Sequence, residues 1–110
     1  MGGGSSITPS SSGEIYSTDE TAIGTWIDGK TLYRKVFTNV SSGFNIGLTD
    51  SNANIVNLYG HAHDANNRYN IPYADNNYYI GCYLNRTTGV VIFGNVTVDC
   101  IIIEYTKVTT

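Results

Sequence analysis

The sequence predicts an all-β fold, an antiparallel β-sandwich or jelly-roll-like module of about eight strands. Three observations carry that expectation. Short runs of β-branched and aromatic residues recur about every ten residues, separated by clusters of Gly, Asn, Asp and Ser. Apolar and polar residues alternate within several of those runs, and no segment sustains a helical period. Gly, Asn, Thr, Ser and Tyr are abundant while Pro is scarce, a composition suited to strands and turns.

Residues 1–13 read as a flexible linker or tag remnant, Gly/Ser-rich and without the basic-then-apolar order of a signal peptide. Residues 14–110 read as a single domain, with Glu14–Ser17 as a candidate short first strand or else an extended arm that pairs with a neighbour. Asp28-Gly29 then signals a two-residue hairpin between Thr21–Ile27 and Lys30–Asn39. That turn would set Thr25 opposite Leu32 and Gly24 opposite Tyr33, with the Tyr33 ring over bare glycine backbone. Trp26 is then expected to anchor the core or a subunit seam, since a lone Trp in a small β domain usually does.

Further on, Phe44, Ile46 and Leu48 alternate with polar residues as a half-buried strand. In 54–63, Val56, Leu58 and Ala62 read as core, and Asn57, Tyr59, His61 and His63 as surface. Pro72 marks 69–73 as an edge or bulge. In 78–84, Tyr78, Ile80, Cys82 and Leu84 share one side, and Tyr79, Gly81 and Tyr83 the other. The loop 85–89, ending in Gly89, joins this to the apolar run 90–93. Ile101-Ile-Ile103 is apolar on both faces, so the last strand, 96–107, is expected to be central.

Tyr16-Ser-Thr-Asp-Glu20, Gly24-Thr-Trp-Ile-Asp-Gly-Lys30 and Leu32-Tyr-Arg-Lys35 together carry a resemblance. They resemble the start of a domain common at the C-terminal end of bacteriophage and prophage tail-fibre and related virion proteins. Ile103-Glu-Tyr-Thr-Lys107 is similar to that domain's closing strand. The likeness covers the first and last quarters, and Thr31 stands where the family usually has Pro. It implies a virion tail appendage, assembled in the host cytoplasm as a homotrimer, that contacts a bacterial surface glycan or protein without a cofactor. A structural trimerisation or tip module is the alternative implied by the same likeness. A carbohydrate-binding module of a secreted bacterial protein is a third reading.

Composition narrows the function classes. The six basic residues are scattered and the net charge is −3, which argues against nucleic-acid binding. No apolar run reaches the ~20 residues of a membrane-spanning helix, so no membrane insertion is expected. Six of the nine carboxylates lie at turns or strand ends, where they serve turn geometry. Asp99 and Glu104 are expected on opposite faces of their strand, unable to form an acid–base pair. With no nucleophile elbow or phosphate loop, the chain is not expected to be an enzyme. Cys82 and Cys100 are expected to be small buried hydrophobes rather than a disulfide.

His61-Ala-His63 has a metal-like spacing, because two His at i, i+2 share a strand face. Three such pairs about a three-fold axis would supply six imidazoles to a transition metal. Two exposed histidines on a polar face is the preferred reading, and no metal or cofactor is expected. The candidate ligand-binding residues are Tyr59, His61, His63, Arg68, Tyr69 and Tyr73, with Asn70, Tyr78 and Tyr79 nearby. Flat rings stack on sugar faces, and amides and guanidinium groups bond hydroxyls.

Overall fold

The computed structural model describes residues 15–108 apart from 77 and 95. The expected linker, residues 1–13, lies outside the described residues. The chain is all-β and sandwich-like. Its strands are β1 (Thr21–Thr25), β2 (Thr31–Thr38), β3 (Phe44–Asn45), β4 (Ala53–His63), β5 (Arg68–Ile71), β6 (Tyr73–Ala74), β7 (Tyr79–Ile80), β8 (Cys82–Leu84), β9 (Val90–Phe93) and β10 (Thr97–Lys107). A five-stranded sheet runs in the order β1-β2-β10-β4-β5, a three-stranded sheet β3-β9-β8 faces it, and β6 pairs with β7. Every pairing is antiparallel.

The core forms where the inner faces meet. Ala62, Ile101, Ile103 and Tyr105 from the large sheet pack with Val91 and Phe93 from the small one, and with Ile46, Ile71 and Ile80. The tri-isoleucine run explains why β10 is central. Ile101 and Ile103 are fully buried inward, and Ile102, paired with Val36 and Tyr59, is buried on the outer face. β5 ends at Ile71, immediately before Pro72, at the sheet's edge as Pro requires.

Three bulges set which side chains face where. Ile23 is the extra residue of β1, Val56 of β4 and Asp99 of β10. The Val56 bulge shifts the side-chain phase, so Ile55 joins Leu58 and Ala62 against the core while Val56 does not. From Asn57 onward the expected alternation holds, and Asn57, Tyr59, His61 and His63 point outward.

The first hairpin departs from expectation. Trp26 N–H donates to Lys30 O at 2.9 Å and Gly29 N–H to Trp26 O at 2.9 Å, enclosing a three-residue loop, Ile27-Asp28-Gly29. Only Gly29 has positive φ (88°), whereas a two-residue I′ turn needs two such residues. Asp28 Oδ1 accepts the Lys30 N–H at 2.9 Å, which fixes the wider loop. Thr25 therefore pairs with Thr31, Gly24 with Leu32, and Tyr33 with Ala22 rather than Gly24. Ile27 stands 91% exposed at the tip. Trp26 is half-buried beside it and lies outside the core cluster, so it is not a core anchor.

Two further corrections concern the ends of the expected elements. Ile15–Ser17 is not a strand; it runs beside β2, where Ser17 O accepts the Val36 N–H at 2.9 Å. The run 78–84 is split at Gly81 into β7 and β8, which belong to different sheets, with Ile80, Cys82 and Leu84 facing the core. Cys82 and Cys100 are both free thiols. Cys82 packs on the core, and burial pushes its thiol pKa up. Cys100 is half-exposed on the outer face, with its Sγ 3.8 Å from His61 Nδ1, rather than buried as expected.

Candidate functional site

The six candidate residues fall into two groups on different surfaces. Tyr59, His61 and His63 alternate along β4 and project from the outer face of the large sheet, where each meets a partner on β10. Tyr59 Oη donates to Glu104 Oε2 at 2.7 Å. His63 Nδ1 lies 2.9 Å from Asp99 Oδ1, and Arg68 Nη1 reaches the other Asp99 oxygen at 3.6 Å. The Asp99 bulge turns this carboxylate to the same face as Glu104, contrary to the expectation from simple alternation. About 15 Å of strand still separates the two carboxylates, too far to act on one bond.

The β2 side of this face is structural. Glu104 accepts from Arg34 Nε and Nη2, each at 2.8 Å, from Asn57 Nδ2 at 3.0 Å and from Tyr59. Burial opposes its charge, but these donors hold its carboxyl below the usual carboxylate range. Tyr59 titrates far above an ordinary tyrosine because burial and the Glu104 charge disfavour its phenolate. The Arg34 guanidinium lies 4.2 Å from the centre of the Tyr16 ring and donates to Ile15 O at 3.1 Å. Tyr59 is therefore committed to the fold. His61 and Arg68 remain, lining a shallow depression of ≈ 370 Å³ with Tyr69, Asn70 and Asp99, while His63 stands beside Asp99. No group of three or more metal-ligating side chains occurs among the described residues.

Tyr69 and Tyr73 build the second group. Tyr69 pairs with Ala62 and shares its inward side at the sheet's edge, and Tyr73 follows on β6. Their ring centres lie 5.0 Å apart, and the Tyr78 ring joins at 5.5 Å from Tyr69. Two turns hold this cluster in the same manner. Asp64 Oδ1 caps its turn by accepting the Asn66 and Asn67 N–H groups at 2.9 and 2.8 Å, and Oδ2 accepts from Tyr69 Oη at 2.8 Å. Asp75 Oδ1 accepts the Tyr78 N–H at 2.7 Å, and Oδ2 accepts from Tyr73 Oη at 2.5 Å. The backbone N–H of Asn66, with Tyr69 and the Asn67 N–H, holds the Asp64 carboxyl below its usual range. Tyr69 and Tyr73 are raised because their hydroxyl protons are shared with these carboxylates.

The result is a cleft of ≈ 550 Å³ with aromatic walls tilted 52–56° to one another and carboxylates at both ends. Arg68 lines it as well and stands on the ridge between the cleft and the outer-face depression. Chemically the cleft offers ring faces and hydrogen-bond acceptors, which suits a hydroxyl-bearing ligand. Asp64 and Asp75 belong to it although the sequence marks them only as turn residues, and Tyr78, expected nearby, joins them. Their sequence signal was an Asp opening each of the two turns that flank a tyrosine-bearing strand.

Comparison of the chain with protein-family models, with curated proteins and with solved structures finds no match. The functional reading therefore rests on the residues themselves.

Proposed function

We propose that this domain is the attachment module of a virion appendage, the C-terminal receptor-binding domain of a bacteriophage tail fibre. On this reading it contacts a bacterial surface glycan through the Tyr69–Tyr73–Tyr78 cleft. The observation that carries the reading is the cleft, three clustered rings between two carboxylates, borne on turns of a rigid sandwich. The resemblance of both chain ends to tail-fibre domains supports the virion setting. Assembly as a homotrimer would turn a weak single site into avid attachment.

Binding of the domain to an array of bacterial surface polysaccharides tests this. Tyr78→Ala is expected to lower binding at least about tenfold while leaving the fold intact, since this exposed ring lines the cleft and lies outside the core cluster. Undiminished binding by Tyr78→Ala would exclude the cleft.

A structural trimerisation or tip module is the second reading. Ile27, 91% exposed beside the half-buried Trp26, places an apolar tip on the first hairpin, a feature suited to a subunit seam. Light scattering separates the two. A monomer at micromolar concentration that still binds glycan supports attachment alone.

A further inference from the structure

A second aromatic surface lies outside the cleft. Tyr78 turns toward Tyr69, whereas its neighbour Tyr79 turns toward Gly81. A Cβ at Gly81 would sit 2.5, 2.7 and 2.8 Å from Tyr79 Oη, Cε2 and Cζ, so the phenol end of that ring rests directly on the glycine backbone. The ring is thus seated by the missing side chain, yet it is 71% exposed. Tyr83, 60% exposed, pairs with Ile92 on the outer side of the three-stranded sheet, while Cys82 and Leu84 face the core. Tyr79, Gly81, Tyr83, Ile92, Phe93 and Gly94 line one shallow groove of ≈ 430 Å³.

We propose that Tyr79 and Tyr83 form a second ligand site, a stacking platform for the C–H face of a neutral saccharide. Three observations define the ligand. Among the described residues no charged side chain lines the groove, in contrast to the carboxylate-ended cleft, which points to an uncharged ligand. Tyr59, Tyr69, Tyr73 and Tyr105 all donate their hydroxyls to carboxylates. Among the described residues Tyr79 and Tyr83 make no such bond, so both hydroxyls are available beside the ring faces. A sugar presents this pairing, an apolar face edged by hydroxyls. The surface is also too small for a protein partner. Two rings of about 200 Å² each, about two-thirds exposed, offer roughly 260 Å². A stable protein interface needs about 800 Å² per partner. Fixing Tyr79 on Gly81 in advance lowers the ordering cost of binding.

The test is solution NMR of the full chain with ¹³C-labelled tyrosine rings, titrated with neutral hexasaccharides of glucose and of N-acetylglucosamine. The Tyr79 and Tyr83 signals are expected to move together and saturate, with millimolar affinity typical of a single stacking site. Gly81→Ala is the decisive variant, because it removes no aromatic atom and Gly81 has no positive φ to strain. It is expected to displace the Tyr79 ring and weaken binding about tenfold, as is Tyr83→Ala. Tyr69 and Tyr73 signals report on the cleft in the same spectra, so the two sites succeed or fail separately. The platform is overturned if Tyr79 and Tyr83 do not respond to either sugar. It is equally overturned if they shift on concentrating the protein alone, which would make the patch a contact between copies.

Discussion

The same chemical pair, a tyrosine hydroxyl donating to a carboxylate, is used at both ends of the large sheet with different consequences. At the β1–β2–β10 end, Tyr59 bonds Glu104, and Tyr105, 1% exposed and packed in the core, bonds Glu20. Lys107 closes on Glu20 at 2.7 Å and lies 4.5 Å from the centre of the Tyr33 ring, which stacks on Tyr105 at 5.8 Å. At the β5–β7 end, Tyr69 and Tyr73 bond Asp64 and Asp75 in the open. Buried, the pair locks strands together, because any lost partner leaves an uncompensated polar group. Exposed, it orients two half-buried rings that still line an open cleft. The stretches that carry the resemblance proposed above, Tyr16–Lys35 and Ile103–Lys107, meet as neighbouring strands in the first region. The binding candidates lie in the second.

Substitutions should therefore divide sharply between the two ends. The largest effect is expected at Glu104. Glu104→Ala leaves the Arg34 guanidinium, only 8% exposed, without its carboxylate, and should cost about 3–5 kcal/mol in urea unfolding. A loss under about 1 kcal/mol would mean that the motif network does not hold the sheet.

Acid should attack the same end. Glu104 and Glu20 have folded-state pKa values below their unfolded values, Glu20 chiefly through Lys107 and Tyr105. The unfolded chain thus takes up protons first as pH falls. Their contribution is present above the unfolded carboxylate pKa near about 4.3 and is lost as pH drops through the lower folded values. Thermal melts from neutral pH downward should fall below about pH 5, and Glu104→Gln should flatten that limb. An unchanged limb in the variant would assign acid sensitivity elsewhere.

The smallest effect is expected at the hairpin tip. Trp26→Ala should cost about 1 kcal/mol or less, because the ring lies outside the core cluster. Unfolding of this variant as a monomer would show that the motif's Trp carries the fold after all, and would erase the distinction between tip and core.

Period-two alternation marks a strand and its two faces from local sequence alone. It was enough for the all-β class, for central β10 with its isoleucines on both faces, and for the outward face of Asn57–His63. It also placed Tyr79 and Tyr83 together on the side opposite Ile80, Cys82 and Leu84. Bulges carry no comparable mark. One extra residue at Ile23, Val56 or Asp99 reverses the face of everything beyond it, and nothing in composition announces it. Asp99 consequently reached the face of His63, and Tyr33, already moved one residue by the wider loop, met Ala22. Gly29 likewise signalled a turn, but the hydrogen bonds of Asp28 and Trp26 decided its length.

The candidate site shows the same division. The sequence by itself supplied a tyrosine-rich stretch and turn-forming aspartates. Only the tertiary structure separated Tyr59, His61 and His63 from Tyr69 and Tyr73, joined Asp64 and Asp75 to the latter, and seated Tyr79 on Gly81. The reason is physical. Strand propensity and alternation are properties of neighbouring residues, whereas pairing register, bulges and ring contacts depend on which distant strand lies alongside.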